Sequence, residues 1–247
     1  MKKGDSILQL VWAVTGLLSG WQLAAALVAR PIVPGPFEVL QVLATIFTDK
    51  LLVHFGYSLW RIIGGVLLAV IVGYPLGIYL GYSPKLARIM SPVIYLTYPT
   101  PKIALLPIVM LLFGLGEFSK LLLIFLIVVY QVVIAVRDAA GDIPSEYYYP
   151  LVTLGADFFD IFRHVLAPAT LPAFFTSLRV AMATAVSVLF FTETFGTEYG
   201  LGYFIMDAWL RVSYQEMYAG IIVLALLGIA LFMLLDYLDG RCNRWKK

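Results

Sequence analysis

Three ionisable residues, Lys102, Arg179 and Glu193, stand inside otherwise apolar stretches. A charge at membrane depth costs about 3 kcal/mol unless it is solvated or paired, so each must reach a polar interior, a partner or an interface. Thr184, Ser187 and Thr192 lie between Arg179 and Glu193 and give that stretch hydroxyls suited to a pore-facing or helix-facing surface. Lys102, Arg179, Thr184, Ser187 and Glu193 are therefore the candidate residues of a polar pathway. A second concentration occurs in "TLGADFFDIFRHVLAPATLP", residues 153–172, where Asp157, Asp160, Arg163 and His164 crowd together ahead of Pro168 and Pro172. Neither set has the spacing of a catalytic machine. The chain has no Gly-Lys pair and so no phosphate-binding G-x-x-x-x-G-K-[ST] loop, no H-E-x-x-H and no G-x-S-x-G. His54 and His164 are isolated, Cys242 is the only cysteine, and no metal set is visible.

The elements that hold these residues are those of a membrane protein. The 247 residues are 62% hydrophobic and 13% charged, with a mean hydropathy of +0.92, where soluble domains carry roughly 25% charged residues. A net charge of +2 without a basic, aromatic-interleaved patch argues against nucleic acid. A hydrocarbon core needs about 20 apolar residues per helix. Six spans meet or approach this, at about 7–28, 59–82, 89–115, 121–136, 173–193 and 215–235, the fourth lengthened by a snorkelling Lys120. The first, too long for a signal-peptide core, is read as retained. The fold class is all-α, a polytopic helix bundle in one transmembrane domain, residues 1–247. With both termini cytoplasmic, Lys2, Lys3, Lys85, Arg88, Arg137, Arg163, Arg241, Arg244, Lys246 and Lys247 lie inside, against Arg30, Lys50, Arg61, Lys120 and Arg211 outside.

Along the chain, a helix starting near Pro36 is expected on the outer surface. The second span carries Gly65, Ala69, Gly73, Gly77 and Gly81, each four apart, a stripe for close helix approach within the chain or between subunits. Pro99 and Pro101 should break the third span beside Lys102. Lys102 then faces a polar interior or snorkels to the surface, and Arg179 either serves the pathway or reaches lipid phosphates. Gly196, Gly200 and Gly202 are spaced for tight turns.

Residues 137–172 form a long cytoplasmic connection. Ser145 to Leu154 can make one short helix, Gly155 a turn, and Asp157 the cap of a second helix with Asp160 in its first turn, ended by Pro168 and Pro172. That second helix is apolar on more than one face. It either docks in a partner's groove or folds back on the bundle.

The same segment resembles the cytoplasmic loop of ATP-binding-cassette (ABC) importer permeases, in which a Glu-Ala-Ala triplet precedes a glycine and a downstream Leu-Pro. Gly155, Ala156, Val165, Pro168, Leu171 and Pro172 match. "PIVPGPFEVL", "SLWRIIGGVLLAVIVGYPLGIYLGYS", "PTPKIALLPIVMLLFGLGEFSK" and "ETFGTEYGLGYFI" extend the resemblance to the nitrate, sulfonate and taurine subgroup of type I permeases. The resemblance implies a coupling helix formed by Gly155, Ala156, Asp157, Phe158, Phe159, Asp160, Phe162 and Arg163. It also implies two separate ATPase subunits that bind ATP and Mg, a second permease copy, an extracytoplasmic solute-binding protein, and an inner-membrane location. It implies transport of a small solute, an anion in this subgroup, and no enzymatic activity in this chain. Tyr149, Pro150 and Leu151 stand where the family has Glu-Ala-Ala, with Glu146 one turn upstream. A self-sufficient secondary transporter or channel is the rival, but the one Pro-broken span has no counterpart in the other half.

Overall fold

The computed structural model describes residues 3–28 and 30–244; Lys2, Lys246 and Lys247, counted above among the inner charges, fall outside them. Every regular element among the described residues is helical. Five helical stretches are long and apolar enough to cross a membrane, and a sixth arises if one pair bent by 78° counts as a single broken span.

The centre is α6 (Glu117–Gly141), where Leu123, Ile124, Val128, Val132 and Val136 are fully buried. Against it lies α3 (Leu52–Tyr82), and the small-residue stripe is the contact. A Cβ on Gly65 would fall 2.6 Å from Ile124 Cγ2, one on Gly77 2.8 Å from Val136 Cβ, and one on Gly81 2.5 Å from Ala140 Cβ. Gly73 and Ala69 complete the row, Gly73 against Val132 and Ala69 fully buried. The stripe is thus filled within the chain, because methyls on α6 occupy the space that side chains on α3 would need. On the other side of α6 packs α9 (Ala167–Glu193), followed by α11 (Tyr214–Cys242). By contrast α1 (Lys3–Val28) stands apart, its apolar window unburied. It is tied by Trp21, whose Nε1 donates to Pro34 O at 3.1 Å and whose ring stacks on Tyr218.

Two expectations of the sequence are corrected, and a third element runs on further than its sequence reading specified. The helix expected from Pro36 is α2 (Pro36–Ile46). It continues through a wide turn at 47–51 into α3, because residues 37–55 contain neither glycine nor proline to stop it. The helix begun at Phe158 does not end at Pro168 and Pro172 either. A short first part, α8 (Phe158–Ile161), passes through a wide turn at 162–166 directly into α9. In that turn Ala167 N–H bonds to Phe162 O, one residue farther back than an α-helix requires. The ladder is opened just ahead of Pro168, where a donor is missing. Lys120 does not snorkel: it is 1% exposed, and its Nζ donates to Leu115 O at 2.8 Å and Gly116 O at 3.3 Å. Since α6 starts at Glu117, Lys120 falls in its first turn and folds back on the loop before it.

The third span is broken as its prolines require. It consists of α4 (Pro84–Thr97), a turn at 98–101, a short 3₁₀ stretch at Lys102–Leu105, and α5 (Leu106–Phe113). One further helix was not foreseen, α10 (Leu201–Leu210). Gly196 and Gly200 do make turns, with φ of +59° and +131°. Gly202 instead lies inside α10, where a Cβ would sit 2.6 Å from Phe190 O.

Candidate functional site

Chemistry-bearing residues gather at three levels of the bundle. At the end opposite the 142–166 loop, Arg61 of α3 enters the interior and is 1% exposed. Its Nε donates to Glu117 Oε2 at 2.7 Å and its Nη2 to Glu117 Oε1 at 2.6 Å, a bidentate pair. Nη1 donates to Glu193 Oε1 at 2.8 Å and to Tyr199 O at 2.6 Å. Glu193, fully buried, also accepts from Ser58 Oγ at 2.8 Å and from Gly202 N–H at 2.9 Å. Ser58 Oγ in turn accepts from Leu201 N–H at 2.8 Å, and His54 Nδ1 accepts from Gly200 N–H at 3.1 Å. The knot fastens the 194–202 loop and the start of α10 to α3 and α6. Gly200 is required there, since a Cβ would lie 2.4 Å from Glu193 Cδ.

Glu193, expected on a polar pathway, is therefore enclosed in this knot. Arg61, Ser58 and Glu117 were missed. A signal existed: Arg61, Glu117 and Glu193 fall at the same end of the second, fourth and fifth expected spans, and opposite charges at matched depth call for pairing.

At mid-depth lies the helix break. Lys102 Nζ donates to Thr97 O at 2.8 Å and to Tyr98 O, carbonyls that the end of α4 leaves without helical donors. It also sits 4.4 Å from the centroid of the Tyr130 ring. Tyr130 is near the middle of α6, about 20 Å along the helix from Glu117 at 1.5 Å per residue, so Lys102 lies at mid-depth rather than at either end of the bundle, and it is half-buried there. Thr184 joins Lys102 in lining one cavity of about 270 Å³, with Tyr98, Tyr130, Gln131 and Val188. Ser187 is exposed and bonds back to Ala183 O at 3.1 Å. Arg179 joins neither group; it pairs with Asp236 at 3.0 Å and with Asp239 on α11. Of the five expected pathway residues, only Lys102 and Thr184 line a common cavity.

The third level is the loop. A 3₁₀ turn at Ser145–Tyr147 leads into α7 (Tyr149–Thr153), so the first short helix comes in two pieces, with Pro150 in the first turn of α7. Gly155, at φ +76°, makes the turn, and Ala156 N–H returns to Leu151 O at 3.0 Å. Asp157 accepts from Asp160 N–H at 2.8 Å, and the Asp160 carboxylate reaches back to Asp157 N–H at 3.4 Å, a reciprocal capping box. Phe158 packs near Tyr79 and Tyr82 of α3, Ile161 is buried, and Phe162 is half-buried near Phe159. One face thus anchors the loop to the bundle. The other is exposed: Leu154 at 84%, Phe159 at 65%, with Tyr149, Val152, Asp160 and Arg163 around them. Burial, and then the neighbouring Tyr82, raise the pKa of the Tyr148 phenol and keep it neutral. Among the described residues no group of His, Cys, Asp and Glu could hold a metal ion.

Residues 73–245 match the family model described as the binding-protein-dependent transport system inner membrane component, and the chain belongs to that family. It is 32% identical over 232 residues to the taurine transport system permease protein TauC of Escherichia coli (strain K12), covering 91% of this chain and 84% of that one. It is 30% identical over 184 residues to the nitrate import permease protein NrtB of Leptolyngbya laminosa, covering 74% and 66%. Against the formylaminopyrimidine transport permease protein ThiX of Halalkalibacterium halodurans it is 26% identical over 248 residues, covering 100% and 99%. The fold matches a chain of the inward-facing MetNI methionine ABC transporter with a TM-score of 0.61 at 21% identity, over 80% of this chain and 96% of that one. The protein is a type I ABC importer permease of the nitrate, sulfonate and taurine subgroup.

Proposed function

We propose that this chain is the membrane-spanning half of an ATP-driven importer of a small anion, of the size and charge of nitrate, a sulfonate or taurine. The observation that carries the coupling part is the loop at 142–166. It is fixed to the bundle by Phe158 and Ile161, stiffened by its capping box, and presents Leu154 and Phe159 outward. An exposed apolar face on a rigid mount suits helix-in-groove docking, here on a separate ATPase subunit that binds ATP and Mg. The chain itself carries no phosphate-binding loop.

Two ATPase subunits would sit beneath two permease copies, with the pathway on the twofold axis and a solute-binding protein delivering cargo from outside. The loop end and both termini face the cytoplasm in this arrangement. ATP binding draws the ATPase subunits together and pushes on the loop. Because α8 runs without interruption into α9, the push enters a span directly, and it shifts the bundle between two states only to the extent that nucleotide favours one of them. The expected pathway side chains are Lys102, Thr184 and Ser187, with Arg179 and Glu193 as braces.

Co-purification tests the docking. Phe158→Asp with Phe159→Asp should release the ATPase, whereas Phe159→Asp alone should weaken it without lowering the thermal stability of the permease, since Phe159 is exposed. Uptake into vesicles lacking the ATPase should vanish, and uptake sustained by an ion gradient alone would overturn the reading. Sidedness is checked in a Cys242→Ser background, where Leu154→Cys should react with an impermeant thiol reagent only from the cytoplasmic face.

A further inference from the structure

The start of α10 is capped from outside. The first N–H groups of a helix have no partner within it, and here three successive ones are taken by side chains of other elements. Gly200 N–H donates to His54 Nδ1 at 3.1 Å, Leu201 N–H to Ser58 Oγ at 2.8 Å, and Gly202 N–H to Glu193 Oε2 at 2.9 Å. His54 and Ser58 stand four apart on one face of α3, and Glu193 ends α9. Gly200, at φ +131° and without a side chain of its own, is fixed on this side by the His54 bond.

Of these three acceptors, His54 is the one that a proton can turn into a donor near neutral pH. Ser58 does not ionise, and Glu193 is bonded to Arg61 Nη1 at 2.8 Å. An Nδ1 that accepts carries no proton, so His54 is neutral here, with its proton on Nε2. An imidazolium has two donors and no acceptor. Protonation therefore removes the Gly200 bond and puts a cation at a helix N-terminus, where the dipole opposes it. The surroundings supply no replacement: among the described residues no carboxylate bonds the ring. Asp207 and Arg61 are the charges that act on it. Asp207 is engaged with Arg211 at 2.8 Å, and Arg61, two turns along the same helix, repels a second cation. Glu117 and Glu193 are taken by Arg61, Lys50 on the preceding turn is paired with Glu216, and Glu198 is exposed. The remaining neighbours are the rings of Tyr199, Tyr203 and Phe204, with centroids at 6.1, 5.8 and 5.4 Å, and their phenols stay neutral until about pH 10.

We propose that His54 is a proton-operated latch: neutral, it holds the 194–202 loop and the start of α10 against α3, and protonated, it releases them. Histidine changes charge between about pH 5 and 8, so the latch is shut at the upper end of that range and open at the lower. Ser58 and Glu193 keep their bonds through the change, so the release is a local fraying of the loop and the first turn of α10 and leaves the bundle intact. In the orientation proposed above, this end meets the outer solution, and the latch then reads acidity outside the cell. Its chemistry depends on neither that orientation nor an ATPase.

Hydrogen–deuterium exchange of the full chain in lipid nanodiscs, read at the amides of residues 198–204, tests the latch at about pH 7.5 and about pH 5. His54→Asn is the reference, because its amide oxygen stands where Nδ1 does and accepts at either pH. Comparison with it at each pH cancels the intrinsic pH dependence of exchange. Wild type should match the reference at the higher pH and exchange about fivefold faster at the lower, the scale of one net hydrogen bond. His54→Phe should exchange fast at both, whereas Ser58→Ala should raise exchange at both and keep the pH step. Should His54→Asn fail to fold, ¹⁵N NMR of the imidazole decides in His164→Gln, where His54 is the only histidine left. Its Nδ1 should be unprotonated at the higher pH and protonated at the lower. The same pH response in wild type and His54→Asn, or an Nδ1 that never gains a proton, would overturn the proposal. Either result would leave the importer reading untouched, and uptake that needs no ATPase would defeat that reading without altering the exchange.

Discussion

Arg61 and Lys102 are both cations in an apolar bundle, one buried and one half-buried, and the structure treats them in opposite ways. Arg61 spends its donors on two carboxylates, a carbonyl and the hydroxyl of Thr197, and its neighbours Ser58 and Glu193 are also fully engaged. Lys102 has no carboxylate partner. It spends two donors on the carbonyls of its own broken helix and borders a cavity of about 270 Å³. A saturated network in low dielectric is rigid, because any motion strands a charge; a partly satisfied one leaves room for a ligand to complete it. The difference gives Arg61 the part of holding the bundle together at one end, while Lys102 caps the broken helix beside a cavity at mid-depth.

That contrast can be broken most sharply at Arg61. Arg61→Met leaves Glu193 buried without its cation and should cost about 3–5 kcal/mol, seen as a large drop in thermal stability in detergent or as failure to accumulate in the membrane. Lys102→Met, which removes two bonds to backbone carbonyls at a break already there, should cost about 1–3 kcal/mol in the same assay. Equal losses would erase the distinction. Next in size is Gly200→Ala, which forces a side chain into a left-handed backbone and against Glu193. It should cost roughly 1–3 kcal/mol, while Gly16→Ala, with nothing within 4 Å, should be neutral. Smallest is Lys50→Ala. Its 2.9 Å pair with Glu216 is half-exposed at Lys50, and Arg211 also holds Glu216, so the change in stability should stay within about 1 kcal/mol and shrink further with salt.

Much of this was legible before the fold was seen, for reasons tied to particular residues. Pro99 and Pro101 cannot continue a helix, and the third span breaks there. Five small residues at a spacing of four must face one way, and α6 fills that face. Asp157 three residues ahead of Asp160 is a capping pattern, and it forms. The misses also have causes. Pro168 and Pro172 looked like terminators, but a single wide turn ahead of Pro168 lets the helix pass. Two of the three glycines around α10 are turns and one is a packing contact, a difference that depends on Phe190 and Glu193 rather than on glycine. Arg61 looked like a surface charge because its partners are 56 and 132 residues away.

By itself the sequence determined the solvent, the number of spans, the break in the third of them and the family, because these follow from hydropathy, local backbone chemistry and motif order along the chain. Only the tertiary structure decided which cations of the bundle are neutralised by carboxylates and which border a cavity. Pairing depends on distance in space, and no local pattern records that α3, α6 and α9 bring Arg61, Glu117 and Glu193 to one point while leaving Lys102 apart.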